Sequence, residues 1–203
     1  NEKGISIIGD LPIYVAMDSA DVWAHPERFQ LDSDNVPIDV SGVPPDGFTD
    51  EGQLWGNPLY RWDSMKRDGY AWWESRLRGT LERFDAIRLD HFRGLESYWA
   101  VPYGDETAAG GRWEPGPGED FIQMVREKFP EALIIAEDLG YVTKEVKALL
   151  DYSGYPGMKV LEFAFDSREA GDYLPHCYPE NCVCYAGTHD NTTILGWLEE
   201  ADP

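Results

Sequence analysis

Arg88, Asp90, His91 and Arg93 crowd the end of Phe84–Gly94, a stretch that reads Phe-Asp-Ala-Ile-Arg-Leu-Asp-His-Phe-Arg-Gly. Ala86, Ile87 and Leu89 supply the apolar run of a short buried strand, and the charges fall where a parallel strand turns into its loop. A carboxylate set between two guanidinium groups must be desolvated and paired, which is costly and marks either a site or a structural ion-pair network. Repetition of the pattern favours the site. The run 132–140 ends in Glu137-Asp138, the run 183–191 in His189-Asp190, and the run 5–10 in Asp10. Four apolar runs deliver an acid at the same end, which is where a parallel α/β barrel keeps its chemistry.

Two carboxyl groups facing one another across a pocket are the minimum for cleaving a glycosidic bond, one as nucleophile and one as proton donor. Asp90 suits the nucleophile, because Arg88 two residues earlier on the same face should hold it ionised. Glu137 follows the apolar Leu133, Ile134, Ile135 and Ala136, so desolvation should raise its pKa toward what a general acid needs. Asp190 is a third acid, placed to hydrogen-bond sugar hydroxyls, with His189 donating beside it. A retaining mechanism expects the Asp90 and Glu137 carboxyls about 5 to 5.5 Å apart. The competing chemistry is a metal site, since Asp10, Asp90-His91 and His189-Asp190 are competent ligands. Arg88 would repel a dication, however, and no His-x-His or His-Glu-x-x-His spacing is present.

The elements that position these residues alternate. Gly4–Asp10 reads as the first strand, Phe84–Gly94, Ala132–Gly140 and Val183–Asn191 contain three more, and Met158–Phe165 is a fifth that leads only to Asp166. Between them, Asp18–Trp23 is a short capped helical turn, and Gly69–Phe84 is a helix with Tyr70, Trp73, Leu77, Leu81 and Phe84 on one face. Glu119–Phe129 is helical, Thr143 caps a helix that Gly154 ends, and Thr192 or Thr193 caps a last one through Glu200. Leu31–Trp62 and Phe92–Gly118 are dense in Pro, Gly and Asp and read as long rim loops. Phe48, Trp55, Tyr60 and Trp62 give the first of them order and either a ligand-holding role or a stapling one. Strand, loop and helix in repetition imply parallel strands with right-handed crossovers, hence an α/β domain. Five strands in 203 residues, against eight strands in about 250, make the chain an interior excerpt of a (β/α)8 barrel.

Bulk properties narrow the partners. The formal charge is -21, with 38 acids against 17 bases, which argues against nucleic acid and anionic membranes, since both demand a basic face, and leaves a neutral substrate open. Eight Trp and eleven Tyr suit flat, hydroxyl-rich ligands, although core packing accounts for most of them. Cys177, Cys182 and Cys184 form no even disulfide framework, fit a reducing compartment, and at 182 and 184 share a strand face as small buried thiols. No stretch approaches the roughly 20 apolar residues of a membrane span. The sequence opens at Asn1, directly ahead of a strand, and so says nothing of a signal peptide.

Six segments together resemble one family: Asp10-Leu-Pro-Ile-Tyr-Val-Ala, Gln53-Leu-Trp-Gly-Asn-Pro-Leu-Tyr-Arg-Trp62, Ile87-Arg-Leu-Asp-His-Phe-Arg-Gly94, Ala136-Glu-Asp-Leu-Gly140, Pro156–Phe165 and Gly187-Thr-His-Asp-Asn191. They are similar, nearly end to end, to the 4-α-glucanotransferase or amylomaltase family, glycoside hydrolase family 77 of the α-amylase clan. The resemblance implies Asp90 as the nucleophile of a covalent glucosyl-enzyme, Glu137 as general acid/base and Asp190 as transition-state stabiliser. Arg88 and His189 would support them, and His91 would lie among the substrate-binding residues. Asp10 matches the family's first acid, Trp55 a loop aromatic that stacks on acceptor glucose, and Phe163 a further aromatic near the subsites. Leu11-Pro12 stands where the wider clan often has Asn-His, which weakens a plain α-amylase reading.

The resemblance further implies transfer of α-1,4-glucan segments among maltooligosaccharides, starch or glycogen, in the cytoplasm and without a cofactor or metal. It numbers the visible strands as the third to seventh of the barrel. The first two, with an inserted subdomain, and the eighth lie outside this single catalytic-barrel fragment of residues 1–203, and the isolated chain is expected to be poorly active. A non-catalytic glucan-binding fragment and a metal-dependent hydrolase are the alternatives.

Overall fold

The computed structural model describes residues 3–46, 49–140, 142–165 and 171–200. Phe48 and Asp166 lie outside them. In chain order the first elements are β1 (Ile8–Leu11), α1 (Ala20–Ala24), β2 (Asp39–Val43), β3 (Gln53–Pro58), α2 (Trp62–Arg67), α3 (Ala71–Leu81) and β4 (Ala86–Leu89). They are followed by β5 (Ser97–Pro102), β6 (Arg112–Pro115), α4 (Gly118–Lys128), β7 (Ile134–Ala136), α5 (Lys144–Ser153), β8 (Gly157–Val160), β9 (Cys182–Tyr185) and α6 (Ile194–Glu200).

The acid-tipped runs are the parallel strands. β1, β4 and β7 form one sheet in that order, and β8 pairs with β9 in another. Asp10 lies opposite Arg88, and Arg88 opposite Ile135, so three strands present their last residues at one level. The Ala136 N–H donates to Pro156 O at 2.9 Å and links the two sheets.

Parts of the two expected rim loops are instead strands of a third sheet. β3, β2, β5 and β6 form it in that order, antiparallel throughout, with Asp39 opposite Pro102 and Trp99 opposite Trp113. The fold is therefore mixed α/β, with parallel and antiparallel sheets. Alternation along β2 and β5 explains its stability. Tyr98 and Ala100 join the main core, whereas Val40 and Val101 pack with Ala108 and Trp99 in a smaller cluster on the other face. Gly42 is required there, since a Cβ would sit 2.5 Å from Gln53 O.

The expected strand Met158–Phe165 is shorter than the sequence suggests. Val160 opposite Tyr185 is its last paired rung. Beyond it one further bond to the partner side remains, from the Glu162 N–H to Ala186 O at 3.1 Å, and Leu161–Phe165 turns into a 3-10 helix. α3 begins at Ala71 and not Gly69, because Gly69 and Tyr70 are both left-handed, with φ of 69° and 58°, and the Asp68 carboxylate accepts the Ala71 N–H. Thr143 caps α5 by accepting the Val146 N–H, and Gly154 ends it at φ 69°. Thr193, one of the two expected caps, accepts the Gly196 N–H in α6.

Most aromatic residues pack in the core. Trp73 is wholly buried, stacked on Trp62 at 6.0 Å and met edge-on by Phe121 at 5.2 Å, while Arg76 lies 4.9 Å above its ring. The cysteines depart from expectation. Cys177 is exposed, and on β9 Cys184 is exposed and Cys182 half-buried, because among the described residues β9 pairs with β8 alone and is covered on one edge only. No helix among the described residues is long and apolar enough to cross a membrane.

Candidate active site

Arg88 organises the charges at the strand ends. Its Nη1 lies 2.6 Å from Asp10 Oδ1 and 2.8 Å from Asp90 Oδ1, so one guanidinium serves two carboxylates. The backbone sets this spacing, with the Asp90 N–H donating to Leu11 O and the Glu137 N–H to Leu89 O, both at 3.0 Å. The ion pair expected at Asp90 is formed, but its consequence differs from expectation. Burial is the largest influence on Asp90 and raises its pKa despite Arg88, and the charges of Asp10 and Asp190 push the same way. Sequence alone weighs the neighbour and cannot weigh the desolvation.

Glu137 behaves as expected and more strongly. Desolvation pushes its pKa up to about 7, against the pull of two backbone N–H groups and with help from the Asp90 charge. Those donors are the Leu139 N–H to Oε1 at 2.9 Å and the His91 N–H to Oε2 at 2.8 Å. His91 has a left-handed backbone, φ 52° and ψ 51°, which turns the chain sharply out of β4 just beneath this carboxyl. Burial, aided by the charge of Arg93, lowers its imidazole pKa to about 4, so the ring is neutral at physiological pH.

That ring meets Trp55 edge-on, with centroids 4.7 Å apart at 83°. Trp55 leaves 38% of its surface exposed, donates its indole N–H to Gln53 Oε1 at 3.1 Å and lies 6.3 Å from the Tyr14 ring. An aromatic face open to solvent and braced from behind can receive a sugar ring. The two backbone N–H donors carried no sequence signal, because they act through backbone direction, and the contact of Tyr14 with Trp55 joins distant segments; Arg93 was legible as one of the charges at the strand end.

The remaining expected residues are placed differently. His189 and Asp190 sit on the loop after β9, with side chains 70% and 76% exposed and 3.5 Å apart. The loop is shaped locally: Asn191 Oδ1 accepts the Thr188 N–H, and Thr188 Oγ1 accepts the Asp190 N–H. Asp190 reaches the cluster only through its charge, felt at Asp90. Phe163 packs edge-on against Tyr173 at 5.2 Å, rather than against Asp90 or Glu137. The structure thus gathers two contacting sets, Asp10 and Asp90 on Arg88 and Glu137 and Trp55 on His91, which act on each other through the charges of Asp90 and Arg88 at Glu137, and leaves Asp190, His189 and Phe163 at the margin. Among the described residues no group of three or more His, Cys, Asp or Glu side chains could hold a metal ion.

Chemically, the arrangement offers an ion-paired carboxylate, a carboxyl that exchanges its proton near neutral pH, and an exposed aromatic face beside them. Comparison with known proteins agrees. The family model described as 4-alpha-glucanotransferase, glycoside hydrolase family 77, matches residues 1–203. The 4-alpha-glucanotransferase of Thermus thermophilus is 55% identical over 202 residues, 98% of this chain and 40% of that protein. The chloroplastic/amyloplastic 4-alpha-glucanotransferase of Solanum tuberosum is 49% identical over 197 residues, 97% of this chain and 34% of that protein. Among solved structures, amylomaltase from Streptococcus agalactiae in complex with acarbose superposes with a TM-score of 0.93 at 47% identity, covering 98% of this chain and 41% of that one. The chain therefore spans well under half the length of these relatives. With a family model matched over its whole length and relatives at about half identity, the chain belongs to the 4-alpha-glucanotransferase family, glycoside hydrolase family 77.

Proposed function

We propose that this chain carries the catalytic carboxylates of a retaining 4-α-glucanotransferase. Asp90 attacks the anomeric carbon of an α-1,4-linked donor and forms a covalent glucosyl-enzyme, while Glu137 protonates the departing glycosidic oxygen. Glu137, now ionised, takes the proton from the 4-OH of an acceptor glucan or glucose, which displaces Asp90 with net retention. Asp190 and His189 close over the sugar hydroxyls from the β9 loop, Arg88 and Asp10 hold Asp90 in place, and Trp55 and Phe163 stack on glucose units. The substrates are maltooligosaccharides, starch or glycogen chains, in keeping with the acarbose named for the Streptococcus agalactiae complex. The five parallel strands are the third to seventh of a (β/α)8 barrel, and residues 1–203 are one catalytic fragment of it. The unpaired cysteines accord with a reducing, cytoplasmic setting.

The observation that carries this reading is Glu137, held near pH 7 by burial beside an Asp90 already paired to Arg88. Maltotriose supplied to the protein should yield glucose together with longer maltooligosaccharides, and Asp90→Asn should remove both products. Production that survives Asp90→Asn would refute the assignment. Glucan binding without turnover, lost in Trp55→Ala and kept in Asp90→Asn, would instead identify a binding fragment.

A further inference from the structure

Asp138 follows Glu137 and has no part in the chemistry above, yet among the described residues it is one of few buried charged side chains, at 9% exposed. Successive side chains near a strand end point to opposite sides, so Asp138 is directed away from Glu137. Its Oδ1 accepts the Met158 N–H at 2.7 Å. Gly157 leaves the room this contact needs, since a Cβ there would lie 2.8 Å from Oδ1 and 2.9 Å from Oδ2. β7 and β8 belong to separate sheets, and the Asp138–Met158 bond adds to the Ala136–Pro156 backbone bond in tying them together.

That tether acts on the catalytic carboxyl through a short lever. Asp138 sits between Glu137 and Leu139, whose N–H is bonded to Glu137 Oε1. Fixing the Asp138 side chain on β8 fixes the peptide planes on either side of it. We propose that Asp138 is a positioning residue that, by holding the Met158 N–H, locks the turn on which Glu137 carries its carboxyl. The proposal rests on the role given to Glu137 above. The charges facing the two carboxyls are distinct, Lys159 and Lys147 at Asp138 and Asp90 and Arg88 at Glu137, so the two can be perturbed separately.

The test is the titration of Glu137 in this chain, followed by 13C NMR of labelled glutamate carboxyls and assigned with Glu137→Gln. Asp138→Ala should free the turn, admit water and lower the Glu137 pKa by about a unit or more. Gly157→Ala, which forces the Asp138 carboxylate aside, should do the same. Asp138→Asn keeps an acceptor at Oδ1 and should titrate like the parent. A folded Asp138→Ala that melts earlier but leaves the Glu137 titration unmoved would reduce Asp138 to a packing residue and overturn the proposal. Asp138→Asn shifted as far as Asp138→Ala would overturn it too, by making charge the cause. Should Asp138→Ala fail to fold, Gly157→Ala and Asp138→Asn decide the matter in the same way. The titration is read whether or not maltotriose is turned over, so this proposal and the enzymatic one fail separately.

Discussion

Replacing Glu137 by Gln should make the protein more stable at alkaline pH and leave the acid side almost unchanged. In the folded chain the carboxyl pKa is raised from 4.5 to about 7, whereas the unfolded chain titrates at the ordinary value. Between those limits the native state binds the extra proton, so stability falls as pH rises from about 4.5 through about 7 and stays at the lower level above it. A shift of this size at about 1.4 kcal/mol per unit corresponds to roughly 3 kcal/mol, reduced to about 2 kcal/mol because Glu137 remains partly open to solvent. Gln does not titrate and removes the dependence. Urea unfolding of the parent and Glu137→Gln at pH 4, 6 and 8 measures it. The variant should gain about 2 kcal/mol on the parent between pH 4 and pH 8. A difference between the two proteins that is flat across this range would show that Glu137 is hydrated like any surface carboxylate, and the general-acid argument would go with it.

Arg88→Met leaves Asp10 and Asp90 side by side without their shared cation. The folded Asp90 pKa, already raised by burial, then rises further, so the variant should lose about 1 kcal/mol at pH 7, discounted for the exposure of the carboxylates, and recover as pH falls below about 4. A penalty of equal size at pH 3 would argue for lost packing instead. Trp55→Ala should weaken maltoheptaose binding roughly 3- to 10-fold by calorimetry while leaving the far-UV spectrum intact; unchanged affinity removes Trp55 from the sugar contacts. Thr143→Ala strips the α5 cap and should cost about 1 kcal/mol in urea unfolding, with Thr143→Ser close to the parent.

The antiparallel sheet shows where sequence reading stops. β2 and β5 contain Val40 and Val101 in alternation, but Gly, Pro and Asp around them give the composition of loops. The pairing that makes them strands joins Asp39 to Pro102, more than sixty positions away in the chain. No local pattern encodes that register. The same holds for Cys182 and Cys184, whose strand was legible but whose exposure depends on which neighbours β9 has.

Local chemistry determined the rest. Apolar runs ending in Asp10, Asp90, Glu137 and Asp190, the three-and-four spacing of α3 and α4, and the Thr143 and Gly154 signals at the ends of α5 are properties of short segments, and each could be read without a partner. Tertiary structure alone decided how much water each carboxyl keeps. Desolvation depends on what packs around a group from elsewhere in the chain, and it raised Asp90 in spite of Arg88, drove Glu137 to about 7 and left Asp190 in solvent.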